Sequence, residues 1–228
     1  MSEPRIAALI PCLNVAPTIA EVVAGAYRHV PHVLVVDDGS NDATATLAAE
    51  AGASVVRHEQ NRGKGSALRT GMERLRADGY THAFCLDGDG QHLTDEMPDM
   101  IREAVQHPSA IILGERIRDG HVVAPIRRFG NDFADWWVSL AAGREFADSQ
   151  CGFRIYPIET TLALGVRGDH YDFESEVLIL AGRRGVEMRT CDVRVYYPPP
   201  DEHVSHFDAW LDTVRIIGTV VPFLVRAR

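Results

Sequence analysis

The strongest constraint on the fold is an alternation that fills the first half of the chain. Ile6–Ile10, Val33–Val36, Ser54–Arg57, His82–Leu86 and Ala110–Gly114 are short, apolar and bounded by turn-forming residues, as buried strands are. Between them lie stretches with helical patterning: Thr18 to about His29, Asp42–Ala51, Gly65 through Ala77, and Leu93–Gln106. Thr18-Ile-Ala-Glu21 has capping-box spacing, and Gly52 supplies a helix stop. This βαβαβαβαβ order predicts an α/β fold: a mainly parallel sheet with helices on both faces. Such sheets bind ligands at the carboxyl ends of their strands. Three polar turns fall at such ends, namely Pro11–Asn14, Asp37–Ser40 and Asp87–Gln91.

The second half is less regular. Arg116–Arg128 reads as a basic loop, Phe129–Ala142 as a helix and Asp148–Tyr156 as irregular chain. Phe173–Arg184 reads as a helix and Glu187–Val195 as a strand, before the rigid break Pro198-Pro199-Pro200. Phe207–Val221 closes with an amphipathic helix. No repeat or low-complexity linker divides the chain. The expectation is one domain: a nucleotide-sugar half over 1–114, an acceptor half over 115–205 and a C-terminal helix over 206–228.

Composition narrows the function. The 228 residues are 46% hydrophobic and 24% charged, which suits a globular core and excludes disorder as the default. A net charge of −9 argues against a nucleic-acid partner, which needs clustered cations. The four cysteines (Cys12, Cys85, Cys151, Cys191) form no CxxC pair, so the expectation is reduced thiols in a cytoplasmic protein. No charged-then-apolar leader precedes Ile6. The apolar run Ile216–Val225 is half the roughly 20 residues of a membrane span.

Asp87-Gly88-Asp89 places two carboxylates at i and i+2 in a glycine-flanked turn. That pattern suits one hard cation, Mg²⁺ or Mn²⁺, which takes oxygen ligands and keeps substrate phosphates in its shell. Gln91 adds a neutral oxygen and His92 a nitrogen. Asp37 and Asp38, at a strand tip, can accept hydrogen bonds from a ribose or a base; the competing reading is a strand-to-helix turn. Asn61-Arg-Gly-Lys-Gly65 lacks P-loop spacing, which excludes an ATPase but leaves Lys64 or the backbone to meet a nucleotide. Glu174 and Glu176 read either as site carboxylates or as a polar helix start. His203 and His206 read as surface or acceptor-side groups.

Five segments occur in order: Pro11-Cys-Leu-Asn14, Val35-Val-Asp-Asp-Gly-Ser40, Asn61-Arg-Gly-Lys-Gly65, Leu86-Asp-Gly-Asp-Gly-Gln-His92 and Asp148-Ser-Gln-Cys-Gly-Phe-Arg154. Together they resemble glycosyltransferase family 2, with its GT-A (Rossmann-like) fold. Within that family the resemblance is to the dolichol-phosphate mannose synthase and polyprenyl-phosphate glycosyltransferase branch, over about residues 5–200. It implies a hexosyltransferase that takes a UDP- or GDP-hexose and inverts its anomeric centre. Pro11, Asn14, Asp37, Asp38, Lys64 and Gly88 fall on the donor side. Asp87, Asp89 and Gln91 hold the metal with the diphosphate. Arg116 and Arg128 face donor and acceptor phosphates, and Asp148 and Arg154 match the acceptor motif. Leu13 and Val15 depart from the pattern, which has an aromatic and an acid there, so the base is not read from that corner.

The acceptor decides the chemistry. A hydroxyl on a glycan or lipid needs a general base, for which Asp148 or Glu174 is the candidate. A polyprenyl phosphate is already ionised and needs only positioning. The C-terminal helix, with Phe207, Trp210, Leu211 and Val214 along one side, reads as a peripheral membrane contact, or else as packing on the core or in a homodimer. A nucleotide-sugar-binding protein without turnover is the remaining alternative.

Overall fold

The computed structural model describes residues 3–117 and 125–196, with backbone only for 125–132. The C-terminal helix expected over 206–228, the Pro198–Pro200 break, His203, His206 and the side chain of Arg128 lie outside the described residues.

Seven strands and seven α-helices alternate along the described chain, except where two helices follow one another before the last strand. They are β1 (Ile6–Cys12), α1 (Ile19–Tyr27), β2 (Val33–Asp37), α2 (Thr44–Glu50), β3 (Ser54–Arg57), α3 (Lys64–Ala77), β4 (His82–Cys85), α4 (Met97–Gln106), β5 (Ile111–Arg116), α5 (Pro125–Ala142), β6 (Arg154–Pro157), α6 (Ile158–Ala163), α7 (Asp172–Arg183) and β7 (Met188–Val193). They build one sheet in the order β3-β2-β1-β4-β6-β5-β7.

Every residue of β1 is buried, as a central parallel strand requires. Its alternating side chains feed two cores. Ala8 and Ile10 join α1 and α4 on one face, with Val22, Val23, Met97 and Met100. Ala7 and Leu9 join α3 and α7 on the other, with Leu68, Met72, Val177 and Leu178. Strand order reverses beside β1, with β2 paired in parallel on one side and β4 in parallel on the other. That switch point directs the turns after β1, β2 and β4 toward one place.

Three expectations need correction. The Asp148–Tyr156 segment is not irregular throughout: Arg154–Pro157 is a strand, antiparallel to both β4 and β5. A charged first residue and a proline at the end of four residues hid it, because the hydrogen bonds that let Arg154 be buried are not legible in the chain. The Arg116–Arg128 stretch is not all loop, since β5 runs to Arg116 and α5 begins at Pro125. The capping box at Thr18 does not form. Thr18 makes no side-chain cap to its helix, and its hydroxyl donates to the Gly88 carbonyl at 2.6 Å.

Candidate active site

The Asp87–Gln91 turn follows β4 and is held from three sides. Thr18 takes the Gly88 carbonyl. Asp89 Oδ1 accepts the Gln91 N–H at 3.0 Å, an aspartate turn that closes the loop on itself. The Asp87 N–H donates to His92 Nδ1 at 3.0 Å. His92 is buried, and its ring stacks on Phe153 at 4.9 Å between centroids. Burial depresses the imidazole against the pull of Asp87 and Asp89, which agrees with a neutral ring whose Nδ1 accepts. His92 is therefore a strut of the turn rather than the metal nitrogen expected from its position.

The two carboxylates of this turn differ. Asp87 Oδ1 lies 2.6 Å from Lys64 Nζ. Burial pushes the Asp87 carboxyl up, but Lys64 and His92 outweigh it and leave the group below the usual carboxylate range. Among the described residues Asp89 has no such cation. Burial and the charge of Asp87 hold it above the usual range. Among the described residues no three His, Cys, Asp or Glu side chains converge on one point. Asp87 and Asp89 form an incomplete hard-oxygen set. The Asp87–Asp89 repulsion is what a divalent cation would relieve, so these residues fit Mg²⁺ or Mn²⁺ completed by phosphate oxygens.

Lys64 reaches the turn from the first position of α3. Its ammonium also pairs with Glu174 Oε2 at 3.0 Å and lies over the Tyr171 ring. Burial works against its charge, but Asp87 and Glu174 hold it well above the ordinary lysine range. The cluster leaves no room behind it. A Cβ at Gly152 would stand 2.9 Å from Lys64 Nζ, 3.0 Å from Asp87 Oδ2 and 3.1 Å from Glu174 Oε1. Gly152 is thus the glycine of the Asp148–Arg154 segment that makes space for the charged cluster. Glu174 belongs to the site, whereas Glu176 does not: its Oε2 accepts the Arg167 and Gly168 N–H groups.

At the tip of β2 Asp38 is spent on the protein, whereas the buried Asp37 Oδ2 makes no hydrogen bond among the described residues. Asp37 is fully buried; its Oδ1 accepts the Ser40 N–H at 2.9 Å, and its Oδ2 is 3.1 Å from Arg57 Nε. Arg57, which no sequence motif flagged, is 59% exposed and is the cation of this corner. Asp38 Oδ1 faces His58 Nδ1 at 2.6 Å and takes the Arg62 N–H at 2.9 Å, while Oδ2 takes the Gly63 N–H at 2.7 Å. Asn14, at φ 51°, donates its N–H to Ser40 Oγ and accepts the Asn41 N–H on its side chain. Pro11 is buried in β1 opposite Val36, past the last β1–β4 pair, Leu9–Cys85. Asp38 and Asn14 thereby shape the donor corner, and their side-chain oxygens are occupied by backbone N–H groups.

Across the rim, Arg116 clamps Asp148. Arg116 Nε reaches Oδ2 at 2.6 Å, its terminal nitrogen reaches Oδ1 at 2.7 Å, and its own N–H adds a third bond at 3.1 Å. The Asp148 side chain is 1% exposed. A buried carboxylate in a bidentate guanidinium pair is a poor proton acceptor. Asp148 anchors Arg116. Arg154 is also internal, donating to the Ser149, Cys151 and Glu174 carbonyls and to Tyr156 Oη. Beside the clamp runs a groove of about 1170 Å³ between α5 and the β5/β7 edge, lined by Ile117, Trp136, Leu140 and Phe146 among others. Trp136 and Leu140 are each more than half exposed.

A family model described as "Glycosyl transferase family 2" matches residues 7–163. Glycosyltransferase AglJ of Haloferax volcanii is 34% identical over 226 residues, spanning 96% of this chain and 70% of that protein. The UDP-N-acetylglucosamine–dolichyl-phosphate N-acetylglucosaminyltransferase of Methanococcus voltae is 26% identical over 220 residues, spanning 86% of this chain and 88% of that one. Among solved structures, glucosyl-3-phosphoglycerate synthase of Mycobacterium tuberculosis, in complex with Mn²⁺, UDP and phosphoglyceric acid, superposes with a TM-score of 0.74 at 19% identity. That match covers 97% of this chain and 78% of the other, and shows a shared fold.

Proposed function

Because the chain belongs to glycosyl transferase family 2, and so transfers sugar from a nucleotide donor, we propose that it moves a hexose from UDP or GDP to polyprenyl phosphate, with inversion. One observation carries the choice of acceptor. Both carboxylates placed to serve as a base are already paired with cations: Asp148 with Arg116, and Glu174 with Lys64. A hydroxyl acceptor would have to lose a proton in the transition state. A phosphate monoester, with a second pKa of about 6, arrives ionised and needs charge compensation and alignment instead.

The chain's own residues divide the work. Asp87, Asp89 and Gln91 would hold the cation, which when bound offsets the charge that develops on the diphosphate leaving group. Lys64 places a second positive charge beside that turn. Arg116, fixed by Asp148, presents a guanidinium at the acceptor side, and Arg128 belongs by sequence to the same basic region. The apolar groove next to Arg116 offers Trp136 and Leu140 to an isoprenoid chain. The dolichyl-phosphate acceptor in the name of the Methanococcus relative supports the same reading. Among the described residues no helix is long and apolar enough to cross a membrane.

The test is incubation with UDP- or GDP-hexoses, Mg²⁺ or Mn²⁺, and polyprenyl phosphate. Nucleoside diphosphate should be released only when the lipid phosphate is present. Release that depends on a polyprenol or a glycan hydroxyl, and not on the phosphate, would overturn the acceptor.

A further inference from the structure

A glycine-rich loop ahead of a helix ordinarily turns its amides toward a bound anion. In the 61–65 loop the anion is internal. The Arg62 and Gly63 N–H groups point at Asp38, at 2.9 and 2.7 Å. What the loop delivers to the site is the side chain of the next residue, Lys64. The accuracy of that delivery depends on what holds Asp38.

The Asp38 N–H is tied to the Cys12 carbonyl at the end of β1. Among the described residues its carboxylate hydrogen-bonds to one side chain, His58, whose Nδ1 is 2.6 Å from Oδ1. The other ring nitrogen, Nε2, is 3.1 Å from Thr70 Oγ1, which lies on α3, the helix that Lys64 begins. The His58 and Asp38 side chains are 4% and 5% exposed, so neither is a surface ion pair of small worth. The imidazole therefore spans two parts of one device: the acid that holds the turn before Lys64, and the helix that follows it. The loop has little room to adjust, since a Cβ at Gly63 would lie 2.2 Å from the Asp169 carbonyl oxygen.

We propose that His58 is a positioning residue of the transferase: acting through Asp38, it fixes the Arg62-Gly63 turn and so aims the Lys64 ammonium at Asp87 and Glu174. It touches no substrate. Because Asp38 accepts at Oδ1, the Nδ1 hydrogen is the one that matters; Thr70 serves the ring's far end. The proposal rests on the donor-side reading given above, and its test separates the two.

An asparagine amide placed at this position puts its N–H near the imidazole Nδ1, whereas a glutamine amide reaches toward Nε2. His58→Asn should therefore keep kcat and donor KM close to wild type. His58→Gln and His58→Ala should lower kcat/KM on the order of 10–100-fold, the range for residues one contact behind the reacting groups. Thr70→Val should give a smaller loss of the same kind. The second readout needs no substrate. The ¹⁵Nζ resonance of Lys64, assigned with Lys64→Arg, should be protected in the wild type and in His58→Asn, and lost to exchange in His58→Gln. Equal behaviour of the Asn and Gln variants, or losses that follow Tm alone, would overturn the proposal. A wild type that shows the protected Lys64 signal but turns over no nucleotide sugar would sink the glycosyl-transfer reading and leave the positioning role standing.

Discussion

The Asp87–Asp89 turn and the Arg116–Asp148 pair lie at the same end of the sheet, at the tips of strands that run in the same direction, and the fold treats their carboxylates in opposite ways. Asp148 is given a guanidinium in bidentate contact and a backbone N–H, so its charge is compensated within the chain. Asp89 is half-buried next to a second carboxylate, and its charged form is penalised. The first arrangement is complete as it stands. The second lacks a paired cation among the described residues. The difference is the basis on which we propose a bound cation at the Asp87–Asp89 turn and an internal one at Asp148.

The largest expected effect tests the incomplete half. Asp89→Ala should cut metal-dependent release of nucleoside diphosphate by at least about 10²–10³-fold, the scale of losing one transition-state charge contact, with an unchanged circular dichroism spectrum. Full activity in that variant would remove Asp89 from the metal set.

The complete half should fail differently. Asp148→Asn strips a buried pair of one charge and should cost about 2–4 kcal/mol in urea unfolding. It should also raise the acceptor KM without altering the acid limb of the pH–rate profile. Loss of that limb would restore Asp148 as a base.

Lys64 sharpens the contrast, because its ammonium borrows Asp87 from the incomplete half. Lys64→Met should raise Mn²⁺ affinity in the absence of donor by about tenfold, a modest part of the Coulomb attraction available to Asp87 at close range; manganese titration would read it. An unchanged affinity would mean that Lys64 and the cation do not share Asp87.

The smallest effect follows from the sign of the Asp89 shift. Its folded pKa is raised, so the folded state is favoured by proton binding and bears a cost once pH rises through that value. At neutral pH, Asp89→Asn should remove the cost while keeping the acceptor for the Gln91 N–H. Tm should rise by about 1–3 °C, as a fraction of a kcal/mol does in a domain of this size. A fall in Tm would mean that the carboxylate is better compensated than its surroundings indicate.

Much of this was legible in the chain. The positions of β1 to β5 were readable because buried parallel strands are continuous apolar runs, and the Asp-Gly-Asp turn because glycines and acids mark strand ends. Strand β6 was not, since its first residue is an arginine whose four hydrogen-bond partners come from residues 149, 151, 156 and 174. Thr18 was misread for a related reason. Its capping pattern is local, but its hydroxyl bonds to a carbonyl seventy residues away. His58 and Arg57 carry no signature, because their partners are adjacent only in space.

The sequence by itself determined the α/β architecture, the family and the strand-end turns, because periodicity and short-range turn chemistry are written in neighbouring residues. Tertiary structure alone decided which acids are spent and which are available. Asp38, Asp87, Asp89 and Asp148 look alike in the chain. Packing gives Asp38 its amides and imidazole, Asp87 its lysine and Asp148 its guanidinium, and leaves Asp89 beside another negative charge. A carboxylate's role is set by the charges within a few ångströms of it, and those come from other segments of the chain.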